Sequence, residues 1–474
     1  MSKTIAIDPV TRLEGHGKIT IQLDDQGEVA NAHFHVTQVR GFEKFSEGRP
    51  FYEMPSLMAR ICGICPVSHL IASAKACEAI MSVDIPYTAA QLRRMLNLAQ
   101  MVQSHALSFF YLSSPDLLLG LDSDPASRHI FGVAQAHPEL SRAGIGLRRF
   151  GQHIIELLGD KRIHPGWVIP GGVTEPLSAA KRGEILGMLP EAYRNIALGL
   201  NWYKQIADQF HAEAQVFANF PSLYMGLLNE DESVEFTDGA LRIIDAKGAI
   251  LENGITAARF PEFIGEAVEP YSYTKFAYYK PLGYPEGSYR VGPLARLNIA
   301  RSMGTPLADI ELKQFKLLAL GPVQSSLHYH YARLIDMLYG IERIEEILTD
   351  PLILDKHIRA IAGVNRLEGA GQAEAPRGTL MHNYKVDENG LITWANLVIA
   401  TGQNNNAMNK GVAQAAKHYI KGGQYSEGIL NRVEAVVRTF DPCLSCSTHA
   451  LGQMPLELQL VNCAGEVVDV VRRG

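Results

Sequence analysis

Two Cys-x-x-Cys pairs, Cys62/Cys65 and Cys443/Cys446, stand near opposite ends of a 474-residue chain. Two intervening residues let both sulfurs of a pair face one ion, and four thiolates make a soft site suited to zinc, iron-sulfur or nickel. If both pairs serve one centre, the chain ends must meet. That requires a single integrated fold, although the length alone would allow two or three domains. The chain is 47% hydrophobic, enough to build a large core, so it has no need of a zinc knuckle to hold it together. From the spacing alone, a structural four-cysteine zinc site and a redox metal both remain open.

The other bulk properties exclude classes. A formal net charge of -6 does not invite nucleic acid or an anionic membrane. No apolar run approaches the roughly 18 residues of a transmembrane segment. The start, Met1-Ser2-Lys3-Thr4-Ile5, lacks signal-peptide architecture, which points to the cytoplasm. Disulfides are not expected in such a chain. Cys77 lies in a helical apolar setting and reads as core, and Cys463 reads as incidental.

Periodicity predicts an α+β fold that is predominantly helical, with peripheral β-hairpins. Residues 18–36 alternate as a hairpin around Asp24-Asp25-Gln26-Gly27, and Tyr384 to Ile399 do so around Asp387-Glu388-Asn389-Gly390. A shorter β segment is expected over Val234 to Leu251. Thr88 with Gln91 reads as a capping box ahead of the stripe Leu92, Met95, Leu96, Ala99 and Val102. Helices are also expected over Ser178 to Phe210, Pro306 to Leu348 and Ala407 to Ile420.

The first pair sits in Arg60-Ile61-Cys62-Gly63-Ile64-Cys65-Pro66-Val67-Ser68-His69 and the second in Asp441-Pro442-Cys443-Leu444-Ser445-Cys446-Ser447-Thr448-His449. With Asp8 to His16, Arg40-Gly41-Phe42-Glu43 and Glu374-Ala375-Pro376-Arg377-Gly378, these motifs make the chain resemble the large subunits of nickel-iron hydrogenases along essentially its whole length. The resemblance implies that family's helical core and reversible cleavage of dihydrogen to protons and electrons. Cys62 and Cys443 would bind nickel terminally. Cys65 and Cys446 would bridge it to an iron carrying carbonyl and cyanide. Glu14 would relay protons, which needs a carboxylate within hydrogen-bond reach. Arg377 would hang its guanidinium over the metals, Pro376 would shape the same pocket, and Asp116 would pair with Arg377. Asp441 would sit beside them, and His69 would donate a hydrogen bond to a bridging sulfur. Glu43 and His449 would hold a magnesium-type ion.

The resemblance also implies that residues 1–449 are the mature domain and 450–474 a propeptide. A maturation chaperone and a C-terminal endopeptidase would then be partners. In the uncut form the alternation Leu456, Leu458, Leu460 permits a strand. The chain carries no further cluster-sized cysteine set, no dinucleotide fingerprint and no P-loop. Electrons must therefore leave to another polypeptide. Ala277 to Gly283 and Tyr289 to Arg296 look like the bidirectional NAD-reducing group, which implies a diaphorase module together with an iron-sulfur small subunit. NAD, FMN and Fe-S clusters would bind only those partners. A hydrogen-sensing homologue, or coupling to another carrier, is the alternative.

Overall fold

The computed structural model describes residues 3–448, 456–462, 464 and 466–473. Its centre is a set of long helices. α1 (Pro66–Met81) begins directly after Cys65, with Pro66 in the first turn, where its missing N–H costs nothing. α2 (Tyr87–Leu107) carries the predicted stripe, and Leu92, Met95, Leu96, Ala99 and Val102 are all fully buried. α3 (Pro138–Gly159), α4 (Ala179–Ile206) and α5 (Tyr329–Thr349) complete a bundle in which α2 packs on α3 and α5, and α4 packs on the same two. α6 (Glu427–Phe440) leads into the second cysteine motif.

Small sheets flank this bundle. The predicted N-terminal hairpin gains a third strand, giving β1 (Lys3–Ile7), β2 (Gly17–Leu23) and β3 (Val29–Val36), all antiparallel. The second hairpin also belongs to a three-stranded sheet, β4 (Glu368–Ala375), β5 (Gly378–Val386) and β6 (Ile392–Val398). This sheet is not peripheral. All of β5 except Lys385 is buried, and α1 lies against β4. Gly371 permits that approach, because a Cβ there would stand 2.2 Å from the Ala72 carbonyl oxygen.

Three local expectations change. The Thr88–Gln91 capping box does not form. The helix starts at Tyr87 after Pro86, so Thr88 is already in its first turn, and its hydroxyl donates to the Leu352 carbonyl at 3.0 Å. The span from Pro306 to Leu348 is two helices, Pro306–Lys316 and α5, separated by a segment containing Gly321 and Pro322. The β segment near 234–251 resolves into strands Ala240–Ile244 and Ile250–Ile255 of a four-stranded sheet. The tail forms a hairpin of its own, Leu456–Val461 against Val467–Arg473, closed by Asn462 N–H donating to the Glu466 carbonyl. Among the described residues, no helix is long and apolar enough to cross a membrane.

Candidate metal centre

The two cysteine motifs meet. Cys62 Sγ lies 3.4 Å from Cys443 Sγ, Cys65 Sγ lies 3.4 Å from Cys446 Sγ, and Cys443 Sγ lies 2.9 Å from Cys446 Sγ. All four sulfurs fall within 4.8 Å of one another, and each cysteine is at most 3% exposed.

Each motif is shaped locally. The Ile64 and Cys65 amides donate to Cys62 Sγ at 3.2 and 3.1 Å, and the N-terminus of α1 stands behind Cys65. Amide N–H groups and a helix N-terminus both favour thiolate. On the other side α6 stops at Asp441, which adopts a left-handed φ of 53°, and Pro442 then turns the chain towards Cys443. The Cys443 amide donates to Thr401 Oγ1 at 3.0 Å.

Arg40 ties the motifs together. Its Nη2 donates to the carbonyls of Ile61, next to Cys62, and of Ser445, between the other pair, while its own amide donates to Thr448 O at 2.9 Å. The Arg40-Gly41-Phe42-Glu43 motif marks this stretch, but nothing in its pattern indicates the arginine's role.

Four buried sulfurs so close cannot all ionise without a cation. Burial raises Cys443 and Cys446 far above the ordinary thiol value. Burial also acts against Cys62, but hydrogen bonds from Cys443, Cys446 and Cys65, together with Arg377, bring it well below that value. One thiolate therefore forms readily and its neighbours resist. A bound transition metal removes the conflict, because it supplies the missing positive charge and takes thiolate ligands. The donor set fits a nickel-iron pair.

Glu14 reaches this group from the N-terminal segment. The Cys443 thiol donates to its Oε2 at 3.0 Å, the Ser445 amide donates to the same oxygen at 3.1 Å, and the Ser445 hydroxyl donates to Oε1. A parallel backbone bridge pairs Glu14 with Cys443, and the Leu444 amide donates to the Glu14 carbonyl at 3.1 Å. Gly15 allows this approach, since a Cβ there would stand 2.7 Å from Leu444 Cβ at a φ of +90°.

Arg377 arrives on the two-residue turn between β4 and β5, with Pro376 buried beside it. Its Nε donates to the Asp441 carbonyl at 2.7 Å, Nη2 to Asp441 Oδ1 at 3.1 Å and Nη1 to Ser104 Oγ at 3.2 Å. The guanidinium is 3% exposed; burial opposes its charge, but Asp441 and then the cysteine sulfurs hold it firmly protonated.

The expected pairing of Asp116 with Arg377 is not formed. Asp116 instead meets Arg12 at 2.5 Å and Arg438 at 2.9 Å, and accepts from Asn431 Nδ2 at 3.1 Å. It opens the short helix Ser114–Leu119, which faces the Arg12 loop and α6, and Asp441 occupies the place beside Arg377. His69 also differs from expectation: among the described residues its Nδ1 shares a hydrogen bond with His382 Nε2 at 3.2 Å, and none joins it to a sulfur.

Glu43 Oε1 accepts from Lys275 Nζ at 2.6 Å and from the Leu397 amide at 2.8 Å. Its Oε2 takes no hydrogen bond among the described residues, which leaves one oxygen for a hard cation. His449 and Cys463 lie outside the described residues. Cys77 is buried with its thiol donating to Phe51 O, as expected of a core residue. His164, which donates a ring N–H to the Cys62 carbonyl at 3.0 Å, Thr401 and Ser104 were not anticipated, and no motif announces them.

Comparison with known proteins decides among the metals this geometry admits. Residues 40–126 and 246–449 match the family described as Nickel-dependent hydrogenase, and residues 4–39 match one described as HoxL-like. The chain belongs to the nickel-dependent hydrogenase family. It is 42% identical over 489 aligned residues to the NAD-reducing hydrogenase HoxS subunit beta of Cupriavidus necator, covering 99% of each chain. It is 41% identical over 466 to the matching polypeptide of the F420-non-reducing hydrogenase vhc of Methanococcus voltae, covering 97% of this chain and 98% of that one. The crystal structure of an NAD+-reducing [NiFe]-hydrogenase in the H2-reduced state superposes with a TM-score of 0.92 at 43% identity, covering 94% of this chain and 99% of that chain. The mixed helical and small-sheet architecture described above is therefore the hydrogenase large-subunit fold.

Proposed function

We propose that this chain is the catalytic large subunit of a hydrogenase that cleaves dihydrogen reversibly and delivers the electrons to NAD through partner subunits. The observation that carries the reading is the convergence of four buried sulfurs within 4.8 Å beside a carboxylate and a guanidinium. Cys62 and Cys443 would be the terminal ligands of nickel, and Cys65 and Cys446 would bridge to an iron bearing carbonyl and cyanide. The two 3.4 Å approaches support a shared centre, because each joins a sulfur of the first motif to one of the second. The bound pair supplies the redox chemistry of hydrogen cleavage.

The protein's own groups handle charge and protons. Glu14 takes a proton from Cys443 Sγ across 3.0 Å, and the half-buried Ser445 hydroxyl, which donates to Oε1, relays it once it has rotated to hand on its own hydrogen and accept from the carboxyl. Arg377, forked onto Asp441 and Ser104, is a rigid cation facing the sulfurs, and Pro376 narrows the turn that carries it. Asp116 holds Arg12, and through it the loop bearing Glu14, which makes it a positioning residue. His69, one turn past Cys65 on α1, would donate a hydrogen bond to a bridging sulfur. Glu43 and His449 would hold a magnesium-type ion near the end of the mature chain.

We infer that residues 450–474 are removed by an endopeptidase after a chaperone-assisted loading of the metals. The family match that ends at residue 449 supports this boundary. The assembled enzyme would contain a flavin-bearing diaphorase together with an iron-sulfur small subunit, in the cytoplasm, where NAD turns over. A second reading, another electron carrier, is favoured by the 41% identity to a hydrogenase named for not reducing F420. Two measurements test the proposal. Nickel and iron should be found in the purified complex, with infrared bands of carbonyl and cyanide, and zinc without nickel would refute it. Hydrogen-dependent NAD reduction by the complex separates the two carriers.

A further inference from the structure

Three carboxamides stand in the middle of α2, spaced by three so that each neighbours the next: Asn97, Gln100 and Gln103. None is more than 4% exposed, and side chains of this kind are buried where their hydrogen bonds are met. Gln103 Nε2 donates to the Ile64 carbonyl at 2.8 Å. Gln100 Oε1 accepts from the Val67 amide at 2.6 Å, and its Nε2 donates to Ser68 Oγ. The Ser68 hydroxyl donates to Asn97 Oδ1 at 2.9 Å, and Asn97 Nδ2 donates to the carbonyls of Phe236 and Glu374 at 3.1 and 3.0 Å. Backbone groups fix every polarity here, because a carbonyl can only accept and an amide N–H can only donate. The bonds from the two glutamines fall on either side of Cys65.

We propose that Gln103 and Gln100 are positioning residues for the first cysteine pair: Gln103 turns the Cys65 N–H onto Cys62 Sγ, and Gln100 caps α1 in place of Cys65, whose sulfur is left to the metals. The inference rests on the hydrogenase reading above. The Ile64 carbonyl and the Cys65 N–H belong to one trans peptide group and point in opposite directions. Holding the carbonyl towards Gln103 therefore aims the N–H away from it, at Cys62 Sγ, 3.1 Å from the nitrogen. Cys65 is also the residue that precedes the first turn of α1. A side chain at that position ordinarily accepts from the second or third amide of the helix. Among the described residues Cys65 makes no such bond. The amide of Val67, second in the helix, is met by Gln100 from a different helix.

The two glutamines thus do opposite work. Gln103 is needed as a donor and acts on the electronics of Cys62, because an N–H donated to a thiolate withdraws electron density from it and favours the reduced metal. Gln100 is needed as an acceptor and acts on the grip of the site, because it holds the start of the helix that carries Cys65. A packing role alone would not separate these effects.

The test uses the assembled complex and reads nickel content, the rate of nickel loss to a chelator and the nickel midpoint potential, followed by electron paramagnetic resonance. Gln103→Met removes the donor and keeps the length. It should retain nickel, shift the midpoint potential to a more negative value and slow turnover about 10-fold. Gln100→Met should leave the potential where it is and speed nickel loss about 10-fold. Gln100→Glu should restore retention, because a carboxyl oxygen accepts from the Val67 amide in either protonation state. An unmoved potential in nickel-replete Gln103→Met overturns the proposal, and so does loss of nickel from that variant, which would mark Gln103 as packing. An equal potential shift in Gln100→Met, or nickel loss from Gln100→Glu as fast as from Gln100→Met, overturns it as well. A wild-type complex without nickel would instead refute the hydrogenase reading itself.

Discussion

Glu14→Gln is the sharpest perturbation of the centre because it changes one capacity and almost no geometry. The amide oxygen can take the place of Oε2, accepting from the Ser445 amide, now at 3.1 Å. The NH2 group then takes the place of Oε1 and donates to the Ser445 hydroxyl, which can rotate to accept. No buried polar atom is orphaned, so the fold and the sulfur positions should persist within about 1 kcal/mol. What disappears is a base 3.0 Å from Cys443 Sγ. Positioned general acid–base groups contribute about 10²- to 10⁴-fold, or about 3–5 kcal/mol of barrier. Hydrogen–deuterium exchange by the purified complex should fall by that factor while nickel content stays at the wild-type level. Glu14→Asp should also be slow, since one methylene fewer withdraws the carboxylate beyond reach of the sulfur. Wild-type exchange rates in a fully nickel-loaded Glu14→Gln enzyme would refute the reasoning, and nickel loss would recast Glu14 as structural.

Four further outcomes are expected. Cys443→Ser should abolish nickel incorporation, as measured by elemental analysis, because a hydroxyl cannot replace the soft ligand that also bonds Glu14. Arg377→Lys should assemble but lose most turnover: an ammonium keeps the charge and gives up at least one of three fixed hydrogen bonds, each worth about 1.5–3 kcal/mol at a charged group. Arg40→Met should loosen both motifs at once, seen as accelerated loss of nickel to a chelator, with no change in helical circular dichroism. Asp116 gives an acid limb to stability. Burial raises its pKa, but Arg438 and Arg12 bring it below the ordinary value, so its contribution is complete above pH 3.8 and is lost as the pH falls from there through the lowered value. Asp116→Asn should remove that part of the acid limb and cost about 3–5 kcal/mol at neutral pH, measured by denaturant titration.

The sequence made the four clustered cysteines legible and left most of their supports hidden. Cys62, Cys65, Cys443 and Cys446 stand in short motifs whose spacing has a direct geometric meaning, and Glu14 and Arg377 lie in motifs of the same kind. The stripe on α2 was readable because a buried helix repeats every three or four residues. Asp116 shows where that reading ends. A carboxylate needs a cation, but periodicity does not say which of several arginines will face it, and the start of a short helix turned it to Arg12 and Arg438. Arg40 and Thr401 act on backbone groups of distant segments, and no spacing rule reports such contacts. The Thr88–Gln91 box failed for a related reason, since a carbonyl from Leu352 competed successfully for the threonine hydroxyl. The sheet carrying Arg377 was expected at the periphery because its hairpin pattern was visible, while the glycine that lets α1 press onto it signalled nothing by itself.

The parallel bridge between Glu14 and Cys443 has a consequence for the order of assembly. A nascent polypeptide emerges from its amino end, so Glu14 and the first thiol pair are synthesised long before the second pair. A product that stops short of Cys443 offers only two of the four clustered sulfurs. Completion of the cluster is thereby tied to near-completion of translation.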